Sequence, residues 1–136
     1  MKPFSILDLA MNKHERRRLK YVGIKKTLKP SAKFTSLERK YYSMLKELDV
    51  YYVPQYPMGN RFYDAFLPDH NILFEFDGSF WHPLNESDCK YGFQKKSMRV
   101  DEMKNKMAND KGIRIIRIRE ESPITTDEMR KLIWQN

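Results

Sequence analysis

Two carboxylates and a histidine stand at the end of one strongly apolar stretch of this chain. Residues 72–77 read Ile-Leu-Phe-Glu-Phe-Asp, a run that predicts a buried strand, and Gly78 ends it in a turn. Strand side chains alternate between faces, so Glu75 and Asp77 point the same way, and His82 follows just past the turn. Because an unpaired carboxylate is costly to bury, two of them here indicate a divalent-cation site.

Neighbouring segments carry residues that could complete such a site. Asp64 lies in the preceding predicted strand, and Asp101, Lys104 and Asn105 share one face of a later predicted helix. Carboxylate oxygens are the ligands that Mg²⁺ prefers, and Mn²⁺ accepts the same donors. The expected ligands are Asp64, Asp77 and Glu75. A cation held there would polarise a phosphate and activate water, with His82 as general base and Lys104 offsetting phosphate charge.

Periodicity and turn signals predict the elements that position these residues. Thr35 and Glu38 have capping-box spacing, and they open a helix predicted to run to about Leu48. Residues 51–57 are expected to be extended because of their prolines, and residues 58–60 to form a turn. Strands are predicted at 61–67, 72–77 and 113–119, and helices at about 94–110 and from Thr125 or Thr126 to Trp134.

The order of these elements predicts an α/β fold. The first two strands should pair as an antiparallel hairpin, and the strand–helix–strand order that follows should form a right-handed parallel crossover. The result is a mixed β-sheet flanked by helices. Val100, Met103 and Met107 are predicted to form the inward face of the long helix, and Phe80 and Trp81 to pack into the core.

Length and composition predict a single domain of ordinary globular character. The chain has 136 residues, 40% of them hydrophobic, with no apolar run long enough to cross a membrane and no signal-peptide pattern at the N-terminus. Its one cysteine, Cys89, excludes an intramolecular disulfide and a cysteine-rich structural zinc site. We therefore expect a cytoplasmic protein without a membrane partner.

The positive charge is concentrated near the N-terminus. Residues 1–34 hold ten Lys and Arg against two acids, whereas residues 35–136 hold sixteen of each sign. A basic arm on a neutral body indicates a polyanion partner, with a solvated tail as the open alternative. A helix is predicted over about 3–20 and a linker over 23–32. The candidate DNA contacts of the arm are Arg16, Arg17, Arg18, Lys20, Lys25, Lys26 and Lys29.

Taken in order, these motifs resemble the PD-(D/E)XK nuclease superfamily over about residues 35–120. The fuller pattern is similar to the very-short-patch repair (Vsr) endonucleases and to Vsr-like phage homing endonucleases. The matching pieces are Thr35 with Glu38, Tyr63-Asp64, Glu75-Phe76-Asp77-Gly78, Gly78-Ser79-Phe80-Trp81-His82, Asp101 to Lys104, and Gly112 to Ile118. The resemblance implies a restriction-endonuclease-like core over residues 35–136, and the charge of residues 1–34 indicates a DNA-contacting arm.

The resemblance also implies an activity and a site. It implies a Mg²⁺-dependent DNA endonuclease that acts on double-stranded DNA at the nucleoid, as a monomer or a homodimer, with a phage as a candidate source. Asp64 would be the principal metal ligand, and Glu38, Asp64, His82 and Asp101 fit an acid, acid, histidine, acid signature. Asp77 stands where the superfamily usually has lysine. The single cysteine cannot reproduce the zinc site of the repair enzymes, which favours a site-specific, homing-type nuclease.

Structural interpretations of the same residues stay open at this point. Glu75 could pair with a core arginine such as Arg114 or Arg117, and Asp77 could cap the turn. Glu38 could serve the capping box alone, and Asp101 the helix dipole. For the whole chain, the rival functions are a structure- or mismatch-selective repair nuclease and a non-catalytic DNA-binding protein on a nuclease-like fold.

Overall fold

The computed structural model describes residues 34–135, and the predicted basic arm with its seven candidate DNA contacts therefore lies outside the described residues. Helix α1 spans Ser36–Glu47, followed by strands β1 (Val53–Met58), β2 (Arg61–Leu67) and β3 (Ile72–Asp77). A 3₁₀ turn at Glu86–Asp88 precedes helix α2 (Gly92–Asp110), strand β4 (Arg114–Arg119) and helix α3 (Thr126–Trp134). Thr35 and Thr125 cap their helices as predicted, each with a complete capping box.

The four strands form one mixed sheet in the order β1-β2-β3-β4. The β1–β2 and β2–β3 pairs are antiparallel, and β3 and β4 are parallel across the α2 connection. The predicted hairpin, the parallel crossover and the α/β class with a mixed sheet flanked by helices are confirmed. Among residues 34–135, no helix has the length and apolarity to cross a bilayer.

Strand β1 lies in the segment that is predicted to be extended, and it adds a fourth strand to the three that the sequence predicts. It pairs with β2 from Val53 to Met58 although it contains Pro54 and Pro57, which lack the N–H that a central strand needs. An edge position tolerates them, because only one side of the strand must pair. Gln55 lies between the prolines with a φ of 47°, so the strand is irregular opposite Asp64.

The two faces of the sheet pack against different helices. Ile72, Phe74 and Phe76 of β3 pack in one cluster with residues of α1 and α3, whereas Leu73 packs in a second cluster that includes Ala108 of α2. All six residues of β3 are buried. Strand alternation therefore turns Glu75 and Asp77 toward α2 and away from the larger apolar cluster.

The face that α2 turns to the sheet agrees only in part with the predicted one, in which Met107 packs against the second cluster as expected. Met103 is 54% exposed, so its assignment to the inward face is wrong. The side that contacts β3 and β4 instead carries Asp101, Lys104 and Asn105, with Ala108 one turn later. Polar residues can occupy this inward face because charged side chains of the sheet pair with them.

Candidate active site

Strands β2 and β3 separate at Asp64. Their backbone pairing ends at Ala65 with Phe74. Beyond that point the Asp64 carboxylate accepts a hydrogen bond from the N–H of Phe76 at 2.7 Å, and the N–H of Asp64 donates to Oε1 of Glu75 at 3.3 Å. Side-chain oxygens thus take the place of the backbone carbonyls as hydrogen-bond acceptors between the strands. This brings the carboxylates of two neighbouring strands together.

Glu38 approaches the same place from α1. Its Oε1 accepts from the Thr35 hydroxyl at 3.1 Å in the capping box. Its Oε2 lies 3.4 Å from the hydroxyl of Tyr42 and 3.5 Å from Nε2 of Gln55. The Tyr42 hydroxyl also donates to the backbone carbonyl of Asp64. Glu38 therefore serves the helix cap and lies beside Asp64 at once.

Lys104 is the cation of this acidic group. Its Nζ lies 2.8 Å from Oε1 of Glu75, and its side chain is only 11% exposed. The Tyr63 ring lies under the ammonium, 4.8 Å from Nζ, and the Tyr63 hydroxyl donates to the Lys104 carbonyl at 2.9 Å. The structure therefore places Lys104 in the acidic group, and not on the outer surface of α2.

One ammonium does not balance the carboxylates around it. Burial raises the pKa of Asp64 to about 8, with further contributions from the charges of Glu75 and Glu38. The Phe76 N–H and Lys104 oppose that rise without cancelling it. Burial also raises the pKa of Glu75, against the opposing charge of Lys104. These are hard oxygen donors with excess negative charge, and such a donor set fits Mg²⁺ or Mn²⁺.

A histidine–carboxylate pair lies across from this group. Nδ1 of His82 is 2.7 Å from Oδ2 of Asp101, and Nε2 is 3.9 Å from Oδ1 of Asp77. Burial alone would lower the pKa of His82, but the hydrogen bond with Asp101 and the charge of Asp77 raise it above its usual value. Asp101 therefore orients the ring and stabilises its protonated form.

Asp77 is paired with an arginine of the neighbouring strand. Its side chain is 2% exposed, and Nη1 of Arg117 lies 3.1 and 3.0 Å from its two oxygens. Among residues 34–135, Asp77, His82 and Asp101 form the one group of three with possible metal-ligating atoms within 4.8 Å of one another. The Arg117 guanidinium supplies a positive charge to this group, as Lys104 does to Glu75.

Six of the seven predicted catalytic residues line one solvent-open cleft of about 700 Å³. They are Glu38, Asp64, Glu75, His82, Asp101 and Lys104. Asp77 does not line it. Sequence reasoning considered Arg117 only as a partner for Glu75, whereas its partners are Asp77 and Asp101. Ile and Arg alternate over residues 116–119, and the register with β3 then places Arg117 opposite Glu75, on the face of the acids.

Four aromatic side chains are exposed at and beside the mouth of the cleft. Phe80, Trp81, Tyr91 and Phe93 are 55%, 56%, 52% and 38% exposed, and neighbouring ring centroids lie 5.0–6.1 Å apart. The prediction that Phe80 and Trp81 pack into the core is therefore wrong. Buried Gln94 donates to the Phe80 carbonyl at 2.8 Å and fastens this loop to α2. We call these four residues the aromatic cluster.

Comparisons with known proteins find similarity in structure but none in sequence profile. No protein-family profile and no curated protein matches the chain. Among solved structures, the chain is similar to the catalytic domain of the homing endonuclease I-Bth0305I, with 18% sequence identity and a TM-score of 0.49. The likeness covers 75% of this chain and 90% of that one.

Proposed function

We propose that this protein is a Mg²⁺-dependent DNA endonuclease that hydrolyses phosphodiester bonds in the cleft between α1, the β2–β3 split and α2. The observation that carries the proposal is the meeting of Asp64 and Glu75 where their strands separate, with Lys104 as the nearby cation. Clustered acids facing solvent repel a phosphate unless a metal ion lies between them. A pure DNA-binding module gains nothing from that arrangement.

Six residues of the cleft have separate roles in this reaction. Asp64 and Glu75 would hold the divalent cation, which would supply polarisation of the scissile phosphate and activation of the attacking water. Lys104 offsets charge that develops on the phosphate. His82 exchanges a proton at Nε2, and Asp101 holds the ring from Nδ1. Glu38 adds a third carboxylate at the wall of the cleft.

DNA recognition is assigned to two other parts of the chain. The basic arm of residues 1–34 contacts phosphates and supplies affinity without reading sequence. The aromatic cluster stacks on bases, because exposed aromatic rings bind bases with little sequence preference. A site-specific, homing-type nuclease is the first candidate. Aromatic rings that can enter a distorted duplex favour a mismatch- or structure-selective nuclease as the second.

The test is cleavage of supercoiled plasmid and of matched, mismatched and branched duplexes. We expect nicking with Mg²⁺ or Mn²⁺, none with EDTA, and loss of cleavage in Asp64→Asn with DNA binding retained. Asp110→Asn is the control, because within residues 34–135 this exposed acid pairs only with Lys106, at the far end of α2. Binding without cleavage under every metal condition would favour the non-catalytic alternative. Cleavage that persists in Asp64→Asn would contradict the site.

A further inference from the structure

Each of the three guanidinium nitrogens of Arg117 makes a hydrogen bond inside the protein. Nε donates to Oδ1 of Asn105 at 2.8 Å, and Nη2 donates to the backbone carbonyl of Asp101 at 3.2 Å. Nη1 contacts both oxygens of Asp77 and lies 3.5 Å from Oδ1 of Asp101. Arg117 thus joins β4, β3 and α2 behind the cleft, and it does not line the cleft itself.

Asp77 makes this guanidinium necessary. The carboxylate is almost completely buried, and an unpaired charge there would be strongly unfavourable. Among the described residues, the other basic side chain within 4 Å of the Asp77 carboxylate is His82, whose Nε2 lies 3.9 Å away. Without Arg117, the lowest-energy partner for Asp77 would be a protonated Nε2 of His82.

Asp101 is also held in place by Arg117. The arginine contacts its backbone carbonyl through Nη2 and its Oδ1 through Nη1, while Oδ2 of Asp101 faces Nδ1 of His82 at 2.7 Å. One carboxylate oxygen therefore faces the arginine and the other faces the histidine. The position of the His82 ring follows from this chain of contacts.

We propose that Arg117 is a positioning residue that neutralises Asp77 and anchors Asp101, so that His82 keeps Nδ1 on Asp101 and Nε2 available to the DNA. The inference rests on the proposed function for its catalytic consequence. The part of the inference that concerns the hydrogen bonds of His82 can be tested even in a protein without nuclease activity. A guanidinium suits this role because it keeps its charge at all working pH values and presents several donors in a rigid plane.

The experiment compares Arg117→Gln, the double variant Arg117→Gln with Asp77→Asn, and the control Arg114→Gln. Arg114 lies on the same strand but contacts the Leu132 carbonyl far from the cleft. The readouts are kcat and KM for duplex cleavage and the ¹⁵N NMR signals of the His82 ring, which distinguish a proton on Nδ1 from one on Nε2.

For Arg117→Gln we expect kcat to fall about 100-fold with little change in KM. A decrease of this size is typical of the loss of a proton-transfer group. The proton of neutral His82 moves from Nδ1 to Nε2. In the double variant the buried charge is gone, so kcat recovers at least tenfold and the Nδ1–H signal returns. Arg114→Gln keeps wild-type kcat and the wild-type His82 signals.

Three results would overturn the inference. The first is a folded Arg117→Gln protein whose kcat and Nδ1–H signal are those of the wild type. The second is an Arg117→Gln protein in which only KM changes. The third is a double variant whose kcat is no higher than that of Arg117→Gln. If Arg117→Gln does not fold, the double variant decides alone: it must fold and show the Nδ1–H signal. A wild-type protein without nuclease activity would refute the proposed function, and the NMR signals would still test the positioning of His82.

Discussion

Asp64→Asn is expected to stabilise the metal-free protein while abolishing its activity. Asp64 is partly buried beside two other acids, and its pKa is raised to about 8. In the unfolded chain its pKa returns to the ordinary value of about 4. The folded state therefore binds the proton more tightly, so the contribution of Asp64 to stability is present below about pH 4 and lost as the pH rises through about 8.

The magnitude follows from the same shift. About four pKa units correspond to roughly 5 kcal/mol, and the partial solvent access of Asp64 reduces this to about 2–4 kcal/mol. Asn keeps an oxygen that can accept the N–H of Phe76 but carries no charge. The advantage of the variant in free energy of unfolding should therefore be near zero at pH 4 and reach about 2–4 kcal/mol at pH 8.5.

The assay is urea unfolding in EDTA across this pH range, with Asp110→Asn as the exposed control that should stay within about 0.5 kcal/mol of wild type. Added Mg²⁺ should reverse the order, because it stabilises the wild-type protein and not the variant. A variant that is less stable than wild type in EDTA at pH 8.5, or an advantage that does not change with pH, would refute the electrostatic reasoning.

Three further perturbations test other parts of the account. His82→Gln should lower the free energy of unfolding by roughly 1–2 kcal/mol near pH 6, where the protonated ring is hydrogen-bonded to Asp101. This loss should fade as the pH rises through the raised pKa of His82. A loss that does not change with pH in urea unfolding would contradict the pairing. Trp81→Ala should weaken DNA binding about 10- to 100-fold in a fluorescence titration. Trp134 on α3 is similarly exposed, and Trp134→Ala should leave binding unchanged. Equal effects of the two substitutions would refute a role of the aromatic cluster in DNA binding. Removal of residues 1–33 should weaken binding to all sequences and flatten the dependence of affinity on salt, and unchanged binding would refute the role of the basic arm.

Much of the fold was predictable because its signals are local. The capping boxes at Thr35 and Thr125, the turn between β2 and β3, and the apolar run of β3 each specify an element within a few residues. The positions of Asp64 and Glu75 on neighbouring strands follow from strand order alone. Local signals of this kind led to the choice of the candidate site residues, and six of them line one cleft in the structure.

The remaining features depend on contacts between distant residues. Met103 was placed inward because it is apolar, but the inward face of α2 is set by Glu75 and Arg117 of the sheet, which pair with Lys104 and Asp101. The outward position of Phe80 and Trp81 depends on Gln94, fourteen residues beyond the carbonyl that it holds. The sequence alone does not show that Asp77 is the buried acid that pairs with Arg117, because this pairing depends on the register of β3 against β4.

The position of the cation tests the central claim most directly. Crystals of the protein soaked in Mn²⁺ would locate the ion by its anomalous scattering. We expect one strong peak bound by the carboxylates of Asp64 and Glu75, absent in Asp64→Asn and retained in Asp110→Asn. A peak among Asp77, His82 and Asp101 with Arg117 displaced, or no peak in the cleft at saturating Mn²⁺, would contradict the account.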